Sequence, residues 1–205
     1  MRIGVLGTGS VGTTLAGKLR ELGHDVRVGS RDGSKGDGTF AEAAAHGDML
    51  LNCTAGAASL QALEQAGEEN IAGKVLIDVA NPLSFEGGTV TLTVCNDDSL
   101  GEQIQRRFPS ARVVKALNTV NSRVMVDPGS VPGEHDVFLC GDDDGAKAET
   151  RTLLESFGWG NVVDHGGIEG SRAQEMHLLF WLRLRGATGT PFVNVHVVHA
   201  DEAQA

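Results

Sequence analysis

The chain has 205 residues and a formal net charge of −10 at pH 7, with 40% hydrophobic and 21% charged residues. This length suits one main domain with a small appendage, and the composition argues against disordered and membrane-embedded classes. The acidic balance argues against nucleic acid as a partner.

The three cysteines, Cys53, Cys95 and Cys140, are odd in number and form no C-x-x-C pair. This pattern favours reduced thiols over disulfides or a zinc site. The sequence has no apolar run of membrane-spanning length, and the first predicted strand starts at residue 2, where a signal peptide would lie. We therefore expect a cytoplasmic protein that does not contact a membrane.

Residues 2–31 read as a strand, a glycine turn, a helix and a second strand. The apolar run from Ile3 to Leu6 predicts a buried parallel strand, and a G-x-G-x-x-G match follows it. The residues of the match are Gly7, Thr8, Gly9, Ser10, Val11 and Gly12. In this motif the glycines permit a tight turn, the approach of a pyrophosphate and close packing of the helix, whose free amides face the phosphates. The stretch predicts a dinucleotide-binding cradle, and the alternative is an ordinary glycine turn.

The end of the second predicted strand, Asp25 to Gly29, is where such a cradle distinguishes NADP from NAD. The chain carries Ser30, Arg31 and Lys35 here, a hydroxyl and two cations that suit a 2′-phosphate. Asp32 lies at about the spacing of the acid that binds a ribose hydroxyl, but it follows the basic residue in a loop, so we discount it. The sequence therefore predicts NADP(H) as the cofactor.

Three further predicted strands end in small or polar residues. The strands are 48–53, 74–79 and 111–116, and helices are predicted between them. Ligands bind at the carboxyl ends of strands in open parallel sheets, so the residues there are candidates for the cofactor site. They are Thr54, Ala55, Asn81, Pro82, Ala116, Leu117 and Asn118. The proline would hold Asn81 extended with its amide towards the cleft, although Asn-Pro is also common in turns.

Further along the chain, Lys115 and Arg123 are cations that could add to the phosphate site. The strand 135–140 leads into the acids 142–144. We interpret Asp143 or Asp144 as the N-cap of a helix over 146–157 and the other acids as solvated, and not as a metal site. The last strand is 161–164. The alternation of strands and helices predicts an α/β fold: a Rossmann-type, doubly wound, mostly parallel sheet over residues 1–165.

Residues 166–205 form a predicted small C-terminal segment for substrate binding and dimerisation. Its helix, from Ser171 to Arg185, contains the run 178–182, which is apolar on all sides and would be exposed in a monomer. A second subunit or an organic ligand is therefore expected to cover it. The tail, 191–199, reads as a pairing strand. His177 could be a catalytic base, but a His among apolar residues favours a structural role.

With these motifs in place, the chain resembles the coenzyme F420-dependent NADP oxidoreductase family. The segments GSRD followed by Lys35, VVKALNT at 113–119, CGDDD at 140–144 and DHGGIEGSR at 164–172 occur in this order. The resemblance implies reversible hydride transfer between NADP(H) and the deazaflavin coenzyme F420, in a homodimer.

The resemblance also implies a distribution of site residues. Pyrophosphate would be held by Thr8, Gly9, Ser10 and Val11, and the 2′-phosphate by Ser30, Arg31 and Lys35. Nicotinamide and its ribose would lie beside Thr54, Ala55, Asn81, Ala116 and Leu117.

The chemistry of hydride transfer between two cofactors agrees with the residues present. Such transfer needs stacking, exclusion of water and a short distance, and it needs no protein acid or base. We therefore predict no catalytic side chain and no metal. The alternatives are an NADPH-dependent flavin or ferric-chelate reductase and a non-catalytic NADPH sensor. A β-hydroxyacid dehydrogenase is disfavoured because the region after the sheet is too short for its large helical domain.

Overall fold

The computed structural model describes residues 1–200. Its strands are β1 (Arg2–Leu6), β2 (Asp25–Ser30), β3 (Gly38–Thr39), β4 (Met49–Asn52), β5 (Val75–Asp78), β6 (Leu83–Ser84), β7 (Thr91–Leu92), β8 (Arg112–Ala116), β9 (Asp136–Cys140) and β10 (Asn161–Asp164). Its helices are α1 (Ser10–Glu21), α2 (Phe40–His46), α3 (Gly56–Ala66), α4 (Glu68–Ile71), α5 (Leu100–Arg107), α6 (Ser122–Val126), α7 (Asp144–Ser156) and α8 (Ser171–Thr188).

The main sheet has eight strands in the order β10-β9-β8-β5-β4-β1-β2-β3. The strands from β8 to β3 in this order are parallel, and their buried apolar runs are typical of a sheet covered on both faces. The predicted mostly parallel, Rossmann-type sheet is confirmed.

The last two strands run in the opposite direction. β9 pairs with β8 antiparallel, with Lys115 opposite Cys140, and β10 follows β9 in parallel. The residues after β9 therefore lie near the start of β8, where Arg112 Nη2 donates to Asp143 Oδ1 at 3.0 Å. Asp143 also accepts from the Ala146 N–H at 2.7 Å, so the predicted N-cap of α7 is confirmed.

Two apolar cores lie on the two faces of the sheet. One contains Leu15 and Leu19 of α1 with Leu154 of α7, and the other contains Leu63 of α3 with Ile104 of α5. β6 and β7 form a small separate antiparallel hairpin, with Leu83 opposite Leu92. Within residues 1–200, no helix is both long and apolar enough to cross a membrane.

The C-terminal segment differs from the sequence prediction in two respects. Trp181 is only 6% exposed, because the tail covers it and the Val193 carbonyl accepts from its Nε1 at 3.0 Å. Of the predicted exposed run, Phe180 is the residue that stays open, with 52% of its surface exposed. The tail is not a regular strand: it joins the start of β9 through a bond from Asp136 N to Val195 O at 2.9 Å.

Candidate functional site

The turn between β1 and α1 has the geometry that the glycine motif requires. Gly7 has a φ of 123°, and a Cβ there would lie 2.6 Å from the Cys53 carbonyl oxygen. A Cβ at Gly12 would overlap the Gly7 carbonyl oxygen. A Cβ at Gly9 would meet nothing within 4 Å, so this backbone faces open space at the N-terminus of α1. The turn can therefore receive a pyrophosphate on its amides.

A cavity of about 430 Å³ lies beside this turn at the carboxyl ends of the strands. It brings together six of the predicted residues, Thr8, Ser30, Arg31, Lys35, Thr54 and Ala55. Ser30 Oγ accepts from the Lys35 N–H at 3.2 Å and so shapes the loop that presents the two cations. The arrangement suits a phosphorylated ribose.

The remaining lining of this cavity includes an acid and two amides. Asp32 Oδ1 accepts from the Ser34 backbone N–H at 3.0 Å and from Ser34 Oγ at 2.6 Å. These bonds hold the pKa of Asp32 below its usual value and engage its carboxylate within its own turn. Gln61 and Gln65 of α3 also line the cavity, and sequence reasoning missed both. Two features of the sequence could have indicated them. The two glutamines are four residues apart, which places them on one face of a helix, and this helix follows the end of a strand.

The ends of β5 and β8 are joined by their asparagines. Asn81 Nδ2 donates to the Asn118 carbonyl oxygen at 2.9 Å, and Asn118 Nδ2 donates to Asn81 Oδ1 at 3.0 Å. The Asn81 amide is therefore engaged with Asn118 and does not point freely into the cleft. Leu117, between Ala116 and Asn118, is buried with a φ of 64°, a strained conformation for a leucine. Pro82 is buried beside Asn81.

Lys115 does not belong to the phosphate site. It is 0% exposed, and its Nζ lies 2.7 Å from Asp78 Oδ2 and 2.8 Å from Glu175 Oε1. Burial opposes its charge, but the two carboxylates outweigh this effect and raise its pKa. Arg123 likewise lies elsewhere, over the ring of Phe192 at 5.6 Å. The expectation that these cations face the phosphate was wrong.

Glu175 connects α8 to the start of α5. Its carboxylate accepts from Leu100 N at 2.9 Å and from Gly101 N at 3.1 Å. Burial raises its pKa, and Lys115 acts in the opposite direction. Sequence reasoning missed this arrangement, although a charged residue inside each of two apolar strands, Asp78 and Lys115, was a signal for it.

A second network reaches Asp78, the other carboxylate that contacts Lys115, from the side of the glycine turn. Thr54 Oγ1 donates to Asn52 Oδ1 at 2.7 Å, and Asn52 Nδ2 donates to Asp78 Oδ1 at 2.8 Å. Asn52 is 0% exposed. Thr54, two residues after β4, is thus held by hydrogen bonds that extend through Asn52 to β5.

A larger cavity, of about 680 Å³, lies between the hairpin loop and α8. It is lined by Gly88, Thr89, Val90, Leu179, Phe180, Leu182 and Arg183, which we call the α8 groove. His177 packs its ring edge-on to Phe138 at 5.8 Å and to Phe180 at 5.5 Å. Burial lowers the pKa of His177. In residues 1–200, no group of three His, Cys, Asp or Glu side chains is placed to hold a metal ion.

Comparison with known proteins extends these observations. A family model for "NADP oxidoreductase coenzyme F420-dependent" matches residues 2–82. The F420-dependent NADP reductase of Methanothermobacter marburgensis is 29% identical over 199 residues, which cover 85% of this chain and 88% of that protein. The metalloreductase STEAP3 of Rattus norvegicus is 28% identical over 182 residues, and the match covers 85% of this chain. This chain spans only 36% of the rat protein's length.

Among solved structures, a proposed F420-dependent NADP reductase from Arthrobacter sp. FB24 is 47% identical. It superposes with a TM-score of 0.93, and the match covers 97% of this chain and 100% of that chain. Together with the family model and the Methanothermobacter marburgensis relative, this likeness shows that the chain belongs to the family of coenzyme F420-dependent NADP oxidoreductases.

Proposed function

We propose that this protein transfers a hydride reversibly between NADP(H) and the deazaflavin coenzyme F420. The observation that carries the proposal is the cavity beside the glycine turn, where Ser30, Arg31 and Lys35 meet. A 2′-phosphate gives each of these groups a partner, and Arg can bind two phosphate oxygens at once.

The residues present fit a bound NADP(H). The open backbone at Gly9, with Thr8, Ser10 and Val11, receives the pyrophosphate. The ends of β4, β5 and β8 receive the nicotinamide and its ribose, and the residues there are Thr54, Ala55, Asn81, Pro82, Ala116, Leu117 and Asn118. Nicotinamide supplies the hydride chemistry, whereas these residues orient the ring and exclude water.

The acceptor side of the proposal rests on the α8 groove. The groove is mostly apolar, with Arg183 as a cation at its wall, and its lining includes the exposed Phe180. An apolar cavity with a few polar groups suits a flat organic molecule. We propose that α8 of a second subunit completes this surface, so that the active form is a homodimer.

A second candidate function is reduction of a flavin or a ferric chelate. The match to the rat metalloreductase over 85% of this chain favours it. Both functions use the same NADPH site, so they differ only in the acceptor. The cytoplasmic location stays a prediction from the cysteines.

Steady-state oxidation of NADPH, compared among coenzyme F420, FMN, ferric citrate and no acceptor, tests the proposal. Of these acceptors, we expect only coenzyme F420 to support rapid oxidation of NADPH. We expect a much slower reaction when NADH replaces NADPH. Turnover with FMN or ferric citrate but not with coenzyme F420 would establish the second candidate. Tight binding of NADPH without turnover of any acceptor would identify a sensor instead.

A further inference from the structure

Three charged side chains lie together in the interior, beneath the ends of β5 and β8. Asp78 and Glu175 each contact Lys115 Nζ, at 2.7 and 2.8 Å, and each of the three residues is at most 1% exposed. We call Asp78, Lys115 and Glu175 the charge cluster. With two carboxylates and one ammonium, its formal charge is −1.

Each carboxylate also has backbone donors. Asp78 Oδ1 accepts from Ala80 N at 3.2 Å, and Glu175 accepts from the first amides of α5, those of Leu100 and Gly101. Burial raises the pKa of Glu175, whereas Lys115 and the Leu100 amide at the N-terminus of α5 favour the ionised carboxylate. The fold thus places donors around both carboxylates.

Stability alone does not account for this arrangement. Buried ion pairs gain little over well-packed apolar residues, because removing the charges from water offsets their mutual attraction. An apolar set of side chains could fill the same space between β5, β8 and α8. A buried charge that brings no clear gain in stability suggests a functional role.

The position of the charge cluster indicates what that role is. Asp78 and Lys115 are register partners on adjacent strands, and Lys115 Nζ also donates to the Ala80 carbonyl oxygen at 2.6 Å. Ala80 directly precedes Asn81, and Lys115 directly precedes Ala116. These are the strand ends where the proposed function places the nicotinamide.

We propose that the charge cluster sets the redox balance of the bound cofactor, by stabilising the positively charged nicotinamide of NADP⁺ relative to the neutral ring of NADPH. The inference rests on the proposed function for the position of the ring. When NADPH gives up a hydride, which is two electrons and one proton, the ring gains a positive charge. A negative charge in the interior is weakly screened by water and salt, so it favours that product.

Asp78 and Glu175 act here through space and touch neither cofactor nor acceptor. They are residues that tune the cofactor, and they make bound NADPH a stronger hydride donor. The effect depends on the charge of the ligand and not on its shape. It therefore distinguishes NADP⁺ from NADPH, which differ little in size. A role in holding the scaffold would change the binding of both forms alike.

The test is the dissociation constant of NADP⁺ divided by that of NADPH, both measured by calorimetry at pH 8 and fixed salt. Glu175→Gln removes one negative charge and keeps the size of the side chain, and Asp78→Asn does the same on the other side of Lys115. Two unit charges about 10 Å apart in a medium of effective dielectric constant about 20 interact strongly enough for a roughly tenfold effect. We expect the ratio to rise about tenfold in either variant, which is about 1.4 kcal/mol.

Glu102→Gln is the matched control. Glu102 is 7% exposed and joins the same two helices, through a bond from Arg172 Nε at 2.8 Å, but it is not in the charge cluster. In Glu102→Gln, we expect the dissociation constant of NADP⁺ divided by that of NADPH to stay within about twofold of the wild-type ratio. An equal rise in Glu102→Gln would overturn the proposal, because loosening of α8 would then explain the effect.

The same measurements distinguish failure of this inference from failure of the proposed function. An unchanged ratio in folded Glu175→Gln and Asp78→Asn, or an equal loss of affinity for both forms, would overturn the proposal while leaving the proposed function intact. Failure of the wild-type protein to bind either NADP⁺ or NADPH would overturn the proposed function first, and with it this inference.

Discussion

Asn81 and Asn118 bind each other across the ends of two neighbouring strands. Each side chain donates to an oxygen of the other residue, at 2.9 and 3.0 Å, and Asn118 Nδ2 also donates to the Gln174 carbonyl oxygen at 3.1 Å. The contact therefore joins β5, β8 and α8 at one point. It ties the C-terminal helix to the edge of the sheet where the cofactor is proposed to bind.

The first prediction concerns the stability that this contact provides. Asn118→Ala removes the donor to the buried Gln174 carbonyl oxygen and to the half-buried Asn81 Oδ1, so we expect the free energy of unfolding to fall by about 1–3 kcal/mol. Asn81→Ala should cost less, because Asn81 is half-buried and water can replace its side chain. Urea unfolding of both variants and of the double variant measures the coupling. Costs that simply add would contradict the mutual contact.

The second prediction concerns the choice of cofactor. Arg31→Ala should weaken NADPH binding about ten- to a hundredfold, because a charge-assisted phosphate contact contributes about 1.5–3 kcal/mol. NADH binding should hardly change. Arg27→Ala, which removes an exposed cation from β2, the strand that precedes Arg31, is the control and should leave both affinities near the wild-type values. Equal weakening of NADPH and NADH by Arg31→Ala would rule out the 2′-phosphate assignment.

The third prediction concerns pH and the ion pair between α5 and α8. The hydrogen bond from Arg172 holds the pKa of Glu102 below its usual value, despite partial burial. A lowered pKa contributes stability above the unfolded value, near 4.3, and the contribution is lost as pH falls through the folded value. Glu102→Gln should therefore lower the Tm at pH 7, and the difference from wild type should close towards pH 3. Glu155→Gln, at an exposed site on α7, should show no such trend.

The fourth prediction concerns dimerisation through the α8 groove. Phe180→Glu places a charge on the exposed apolar surface, so light scattering should report monomers while NADPH affinity persists. Trp181 is unsuitable for this test because it is buried under the tail, and Trp181→Glu would destabilise the monomer itself. A Phe180→Glu variant that remains dimeric would place the interface elsewhere.

The fifth prediction concerns His177. Its burial lowers its pKa, so at pH 7 it is a neutral ring packed between two phenylalanines. His177→Gln should change kcat by less than about tenfold, whereas loss of a general acid typically costs 10²- to 10⁴-fold. A larger loss in a folded variant would assign a proton-transfer role to this residue.

The sequence predicted the parallel part of the fold because the signals there are local. Apolar runs, glycine positions and the cap at Asp143 act over a few residues, and β1, α1 and β2 follow from them. The reversal of β9 was not predictable in this way. A buried strand has the same apolar pattern in either direction, so its orientation is decided by contacts distant in sequence.

In the candidate site, too, the residues close together in sequence could be predicted, and the contacts between distant residues could not. Ser30, Arg31 and Lys35 lie at the end of one strand and in the loop that follows it, so these three residues of the cavity could be predicted together. The partners of Lys115 could not, since Asp78 and Glu175 lie 37 and 60 positions away in the chain. Trp181 was misjudged for a related reason, because the tail that covers it is an extended segment without a regular pattern of its own.

The reversed direction of β9 also has an electrostatic consequence. A parallel β9 would deliver Asp142, Asp143 and Asp144 to the carboxyl edge of the sheet, the same edge on which the glycine turn is proposed to hold an anionic pyrophosphate. Because the strand runs the other way, these acids emerge at the opposite edge, where Arg112 pairs with Asp143. The fold thereby keeps these three carboxylates away from a negatively charged ligand, and a protein of net charge −10 keeps a cationic entrance for a dinucleotide.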